Sequence, residues 1–146
     1  MMIYEPRGRA KEFGDLAVNL YSGSCPHRCC YCYTPKVMQS TWDKWFSIPP
    51  RPRLGVLEAM QKELPKIASG HKGEHIFLCF MCDPYPYPGG HNLDTLVTRR
   101  AIELIHAHGM YVNILSKGGL AATRDLDLLT SQDKFGTTLT LIDETM

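Results

Sequence analysis

Four cysteines lie within eight residues of this sequence, and their spacing indicates a metal centre. Cys25, Cys29 and Cys32 follow the pattern Cys-x3-Cys-x2-Cys, in which three thiolates of a short loop can converge on one iron–sulfur cluster. A cubane cluster takes four ligands, so three cysteines leave one iron open, and an open position distinguishes a reactive metal site from a structural one. Cys30 is adjacent to Cys29 and is expected to face elsewhere.

The same loop has two other interpretations. The thiolates could hold zinc together with His27, Cys30 or a more distant ligand, or the loop could simply be rich in cysteine. A disulfide framework fits less well, although the sequence has six cysteines, because clustered cysteines close only short loops. The N-terminus also lacks the apolar core of a signal peptide, so a reducing, cytoplasmic location is expected and metal binding is favoured.

The composition is that of an ordinary globular domain, with 146 residues of which 44% are apolar and 21% charged. No run approaches the roughly 18 consecutive apolar residues that a membrane span needs. The net charge is +1, but residues 1–53 carry eight basic and four acidic side chains, and residues 54–146 carry eight and eleven. This asymmetry would suit an anionic ligand near the N-terminal third, although differences of this size are common on ordinary surfaces.

The elements that must position the cysteines alternate between strands and helices. Apolar runs predict strands at residues 16–21, 76–82, 110–115 and 135–142. Helical periodicity predicts helices at residues 54–67, 92–105 and 126–129. Pro65 should end or kink the first helix, Asn92 is the expected N-cap of the second, and Gly109 lies just past its end. Residues 24–53 are predicted to be a long irregular segment. This order predicts right-handed βαβ units and a parallel sheet, hence an α/β fold.

Residues with useful chemistry follow each predicted strand. They are the cysteine loop after the first strand, Cys82 and Asp83 after the second, Ser116 and Lys117 after the third, and Thr138 and Thr140 in the fourth. Because parallel strands bind ligands at their carboxyl ends, all of these residues are expected at one edge of the sheet. Cys79 and Cys82 also form a CxxC, but residues three apart on a strand face opposite sides, so Cys79 is expected to pack in the core.

Residues 25–32, which read CPHRCCYC, resemble the CxxxCxΦC signature of radical S-adenosylmethionine enzymes, with Tyr31 at the aromatic position. Other motifs, in the same order along nearly the whole chain, resemble the branch related to spore photoproduct lyase, whose members are often described as DNA repair photolyase-like. These motifs are YEPRGRA at residues 4–10, NLY at 19–21, DPY at 83–85, Thr98-Arg99, Ser116-Lys117 and RDLDLL at 124–129.

This resemblance implies a parallel (β/α) barrel of the TIM type, of which this chain would supply about four strands of the usual six. Residues 1–146 are therefore expected to form a single, incomplete domain with its cluster-binding loop at residues 24–53. The chain would be either a fragment or a reduced protein that completes the barrel by oligomerising.

The resemblance also implies two cofactors, a [4Fe–4S] cluster and S-adenosylmethionine, whose reductive cleavage yields a 5′-deoxyadenosyl radical that abstracts hydrogen from a substrate. Cys25, Cys29 and Cys32 would hold the cluster, and Tyr31 would lie beside the adenine. Lys117, following Ser116 at the end of its strand, would face the methionine carboxylate. Cys82, Asp83 and Thr138 would lie near the methionine and ribose.

Several consequences of the resemblance concern activity and partners. It implies a lyase-like enzyme with a flavodoxin- or ferredoxin-like electron donor, while nucleic acid enters as a substrate by family analogy alone. Spore photoproduct lyase uses a cysteine near the end of the strand that corresponds to residues 76–82 as a hydrogen donor. From the sequence, this role can be assigned neither to Cys79 nor to Cys82. A zinc-stabilised structural or nucleic-acid-binding module and an inactive remnant of a radical enzyme are the alternatives.

Overall fold

The computed structural model describes residues 1–86 and 96–138, which form a mixed α/β fold. Its strands are β1 (Ile3–Tyr4), β2 (Leu16–Val18), β3 (Tyr21–Ser22), β4 (Arg51–Pro52), β5 (His75–Leu78), β6 (Tyr111–Ser116) and β7 (Lys134–Thr137). Its α-helices are α1 (Thr34–Val37), α2 (Trp42–Phe46), α3 (Val56–His71) and α4 (Leu96–Ala107). Short 3-10 helices occupy Gly8–Phe13, Gly119–Thr123 and Leu126–Leu128.

Five strands form one sheet in the order β1-β2-β5-β6-β7. The four strands from β2 to β7 in this sheet are mutually parallel, so the predicted parallel α/β sheet is confirmed. The sequence did not predict β1, which pairs antiparallel with β2 at the edge. Strands β3 and β4 form a separate antiparallel pair in which Ser22 lies opposite Arg51.

The strand β5 ends at Leu78, four residues earlier than predicted. Cys79 has a φ of 69°, which takes the backbone out of the extended conformation. The Asn19 side chain then accepts hydrogen bonds from the Phe80 and Met81 amides at 2.8 and 3.1 Å. These amides are satisfied by a side chain instead of a neighbouring strand, so the apolar run leaves the sheet before Cys82.

The helices correct the predictions in two places. A break or kink is predicted at Pro65, but helix α3 continues through this proline and ends at His71. Leu64 is fully buried and Ile67 packs on the same core, so tertiary packing outweighs the missing hydrogen bond of the proline. The third predicted helix is only the 3-10 turn Leu126–Leu128.

Helix α4 ends as predicted, with Gly109 in the left-handed region at φ 72°. Its predicted N-cap, Asn92, lies outside the described residues, as does the end of the last predicted strand, including Thr140.

The segment from residue 24 to residue 53 is more ordered than predicted. It contains α1, α2 and β4, and Trp45 of α2 is buried. The Trp42 and Phe46 rings pack against each other at an angle of 48° with their centroids 4.5 Å apart. This aromatic packing explains how a segment rich in proline keeps a defined path beside the cysteines.

The core consists mainly of aliphatic side chains from the parallel strands and from α3 and α4. Those that are almost completely buried include Val18, Met60, Leu64, Ile76, Leu78, Ile102, Ile105 and Ile114. Each such side chain contributes roughly 1.5–3 kcal/mol by leaving water. In the described parts of the chain, no helix has the length and apolarity needed to cross a membrane.

Candidate metal and cofactor site

The cysteine loop begins immediately after β3 and is fixed there by backbone contacts. A Cβ atom on Gly23 would lie 2.2 Å from the carbonyl oxygen of Pro49, and its φ is +85°, so only glycine fits this close approach. The next residue, Ser24, donates from both its amide and its hydroxyl to the carbonyl of Ile48, at 2.9 and 2.6 Å. The loop therefore leaves from a defined point.

Two turns then shape the loop itself. The Arg28 amide donates to the Cys25 carbonyl at 3.3 Å, and the Cys32 amide donates to the Cys29 carbonyl at 2.9 Å. Arg28 takes a left-handed φ of 45° between the two turns. Cys25, Cys29 and Cys32 are partly buried, whereas Cys30 is exposed.

A cavity of about 530 Å³ lies against this loop. The three partly buried cysteines line it, whereas Cys30 does not. The remaining lining comes mainly from the N-terminal segment, the rest of the segment at residues 24–53, the region after β5 and the end of β6, and includes Tyr4, Arg7, Arg9, Phe13, Tyr33, Phe80, Cys82, Asp83 and Lys117. The cavity thus opens at the carboxyl end of the parallel strands, where α/β folds bind ligands.

The thiols occupy one wall of the cavity without converging. Among the described residues, no three His, Cys, Asp or Glu side chains are arranged to hold a metal ion. The composition of the wall nevertheless suits an iron–sulfur cluster, since three soft thiol donors at short spacing face one space.

Two of the site's cysteines interact with each other. The Cys82 thiol, which donates to the Ser24 carbonyl at 3.9 Å, interacts with Cys25, and this interaction lowers the pKa of Cys25 and raises the pKa of Cys82. The lowered pKa favours the thiolate form of Cys25, which is the form that binds metals. Burial raises the pKa of Cys79 to about 12, in agreement with its predicted place in the core.

Asp83 is the most densely hydrogen-bonded carboxylate at this edge. Its Oδ1 accepts from the Tyr85 amide at 2.8 Å and from the Ser116 hydroxyl at 2.6 Å. Its Oδ2 accepts from the Lys117 amide at 2.7 Å and lies 3.3 Å from Nε2 of His27. Burial alone would raise the pKa of Asp83, but these neighbours outweigh it and lower the pKa below its usual value.

His27 is the residue of the cysteine loop that contacts the Asp83 carboxylate. Its Nε2 is buried and close to Asp83, although the ring is not aligned for a hydrogen bond. The neighbouring carboxylate raises the pKa of His27 above its ordinary value, against the opposing effect of burial. The contact is therefore an ion pair when the imidazole is protonated.

Lys117 and Tyr31, both predicted to contact the cofactor, lie together. The Lys117 ammonium is 5.9 Å from the centre of the Tyr31 ring, and the Tyr31 side chain is exposed. Gly118, the next residue, approaches Tyr85 so closely that a Cβ atom would lie 3.1 Å from the Tyr85 side chain. This close contact holds the backbone that carries Lys117 against the region after β5.

Two other residues that were predicted to lie near the cofactor, Ser116 and Thr138, do not line the cavity. Ser116 is buried and bonded to Asp83, and it does not line the cavity. Thr138 lies beside it, because the Thr138 amide donates to the Ser116 carbonyl at 3.1 Å, and it does not line the cavity either.

The sequence did not predict that N-terminal residues line the cavity, nor that Tyr33 forms a hydrogen bond to the region after β5. Residues 7–13 lie far from the cysteines in sequence, but Arg7, Arg9 and Phe13 line the cavity. The Tyr33 hydroxyl donates to the Phe80 carbonyl and so links the end of the cysteine loop to the region after β5. In the sequence, the signals for such a role are Arg7 and Arg9 and their place in the YEPRGRA motif at residues 4–10.

Comparisons with known proteins identify no relative. No protein-family model, no curated protein and no solved structure matches this chain.

Proposed function

We propose that this chain binds a [4Fe–4S] cluster through Cys25, Cys29 and Cys32 and binds S-adenosylmethionine beside it, as a radical S-adenosylmethionine protein. One observation carries the proposal: the three cysteines and Lys117 line a single cavity at the carboxyl end of the parallel strands. The resemblance of residues 25–32 to the CxxxCxΦC signature supports the same assignment.

The charges around the cavity support an anionic group in the ligand. Arg7, Arg9, Arg28 and Lys117 line it, whereas Asp83 is its one acidic lining residue among those described. Lys117 would bind the methionine carboxylate, since a flexible ammonium pairs well with a carboxylate. Tyr31, beside Lys117, offers a ring on which an adenine can stack.

The aromatic wall supports a sheltered reaction. Phe77 and Phe80 lie with their ring centroids 4.3 Å apart, and Phe13 lies 5.4 Å from Phe77. These rings would limit the access of water to the space next to the thiols. When bound, the two cofactors would supply one-electron chemistry that yields a 5′-deoxyadenosyl radical, given an electron donor of the flavodoxin or ferredoxin type.

The fold is compatible with this assignment in a coarse sense. Strands β2, β5, β6 and β7 have the parallel order of consecutive strands in a (β/α) barrel. We take them as part of such a barrel on the strength of the sequence resemblance, and the substrate as a molecule that loses a hydrogen atom within this cavity.

The proposal is tested by anaerobic reconstitution of the full chain with iron and sulfide. We expect a dithionite-reduced [4Fe–4S] signal in electron paramagnetic resonance that changes when S-adenosylmethionine is added, because the cofactor chelates the open iron. A cluster signal that ignores S-adenosylmethionine would contradict the cofactor assignment. A colourless protein that contains stoichiometric zinc would contradict the whole proposal and support the zinc module.

A further inference from the structure

Asp83 joins three separate segments of the site through one buried carboxylate. They are the cysteine loop through His27, the region after β5 through the Tyr85 amide, and the end of β6 through Ser116 and Lys117. The side chain is only 5% exposed. We propose that Asp83 is the positioning residue of the site, which sets the separation between the cysteine loop and Lys117 and does not itself bind the cofactor.

The hydrogen bonds of Asp83 support this role. Each carboxylate oxygen has two neighbours from the chain itself: the Tyr85 amide and Ser116 hydroxyl at Oδ1, the Lys117 amide and His27 at Oδ2. A carboxylate has about four lone-pair positions, and three of them accept hydrogen bonds from the protein, while the His27 ring lies 3.3 Å from Oδ2 without hydrogen-bond alignment. Most of the acceptor capacity of Asp83 is therefore used by protein groups, and we infer that it acts on a ligand through the groups that it holds.

The oxygen Oδ2 makes the connection that matters for the site. It lies 2.7 Å from the Lys117 amide nitrogen and 3.3 Å from Nε2 of His27. His27 lies between Cys25 and Cys29 in sequence, so one atom links the middle of the cysteine loop to the backbone that carries the ammonium. Loss of this link would remove the direct connection between His27 and the Lys117 backbone, and the Tyr33–Phe80 hydrogen bond would still join the end of the cysteine loop to the region after β5.

Relative movement of the two walls of the cavity is costly for a ligand that must contact both. S-adenosylmethionine, in the function proposed above, would bind the cluster on one wall and Lys117 on the other. A displacement of about 1 Å between groups that act together can cost as much as two orders of magnitude in rate, and loosened sites also lose affinity. This inference rests on the proposed function for its ligand, but its structural part can be measured without any cofactor.

The test compares wild type with Asp83→Asn, which keeps the side-chain shape and removes the charge. In the cofactor-free chain, we expect amide hydrogen exchange at Lys117 and Cys32 to be about tenfold faster, with exchange at Val112 unchanged. In the reconstituted protein, we expect similar cluster content and an affinity for S-adenosylmethionine lower by about tenfold, or roughly 1.4 kcal/mol.

Two results would overturn the inference. If Asp83→Asn weakens S-adenosylmethionine binding while Lys117 stays protected, Asp83 contacts the cofactor directly. If Lys117 becomes unprotected and the affinity is unchanged, the carboxylate has only a structural role. A wild-type chain that forms no cluster overturns the proposed function instead, and the exchange experiment on the cofactor-free chain still decides the positioning role of Asp83 within the chain.

Two further variants control for folding. Asp133→Asn removes a similarly bonded carboxylate away from the cavity, and it should accelerate exchange at Val112 without changing S-adenosylmethionine affinity. If Asp83→Asn does not fold, His27→Gln breaks only the contact to the loop. We then expect faster exchange at Cys32, a protected Lys117 amide and weaker cofactor binding, and unchanged binding would contradict the inference.

Discussion

Two aspartates at opposite ends of β6 contact nearly the same kinds of hydrogen-bonding groups. Asp83, at the carboxyl end, faces two backbone amides, one hydroxyl and one histidine. Asp133, at the amino end, accepts from the amides of Val112 and Thr130 at 2.8 and 2.7 Å and from the Thr130 hydroxyl at 2.9 Å. Nε2 of His106 lies 2.9 Å from its Oδ1. Both carboxylates are almost completely buried.

The surroundings of the two carboxylates differ completely. Asp83 lines a cavity together with the three thiols of the cysteine loop and Lys117. Asp133 links the last turn of α4, through His106, to the start of β6 and to the turn before β7. A set of hydrogen bonds therefore does not identify a functional residue. The position of Asp83 is what supports the role proposed for it, because parallel α/β folds place chemistry at the carboxyl ends of strands and use the other end for stability.

The largest effect is expected at the carboxyl end, in cluster binding. Cys29→Ala removes a thiol that lines the cavity and should abolish the iron–sulfur absorption and the reduced paramagnetic signal. Cys30→Ala, which removes the exposed neighbouring thiol, is the matched control and should keep most of both signals. The measurement is iron and sulfide content with spectra after reconstitution. Equal loss in the two variants would contradict the ligand assignment.

An intermediate effect is expected at the amino end, on stability alone. Asp133→Ala leaves the amides of Val112 and Thr130 without their acceptor and should lower the free energy of unfolding by about 2–3 kcal/mol. Burial alone would raise the pKa of Asp133, but the donors from Val112, Thr130 and His106 outweigh it and lower the pKa. The stabilisation is therefore complete above the unfolded pKa of about 3.9 and is lost as the pH falls through the lower folded value.

Denaturant unfolding between pH 2 and pH 7 checks this prediction. In wild type, part of the loss of stability in acid should come from Asp133, and this part should be missing from the variant, so the two curves should approach each other at low pH. Curves that stay parallel would show that Asp133 does not titrate with unfolding. Cluster binding by the variant at neutral pH should match wild type.

The comparison also explains what could be predicted from the sequence. The cysteine spacing and the apolar strands are local patterns, so the parallel sheet was predicted correctly and the thiols were expected at its carboxyl edge. Lys117 and Tyr31 were each predicted as site residues, and the structure brings them together.

Long-range contacts are what the sequence could not reveal. Strand β1 has two residues and no periodicity, yet it is held at the edge because the Met2 and Ile3 amides donate to Glu63 of α3. The buried cluster around Asp83 joins residues that are 33 and 34 positions apart. The sequence predicts Asp83 as a site residue because it follows a predicted strand, but it reveals the hydrogen-bond partners of neither Asp83 nor Asp133, since these are defined only by the fold.

The smallest predicted effect separates the two hydroxyl partners. Ser116→Ala removes a buried hydroxyl that donates to Asp83 and accepts from the Gly118 amide at 2.9 Å, and it should cost about 1 kcal/mol of unfolding free energy. Thr130→Val removes the hydroxyl that donates to Asp133, but water can replace this exposed group, so the cost should be under about 0.5 kcal/mol. Chemical denaturation measures both. The Lys117 amide also donates to Asp83, so Ser116→Ala should make amide exchange at Lys117 faster, whereas Thr130→Val should not. If Thr130→Val lowers the free energy of unfolding as much as Ser116→Ala does, the two ends differ less than their surroundings indicate.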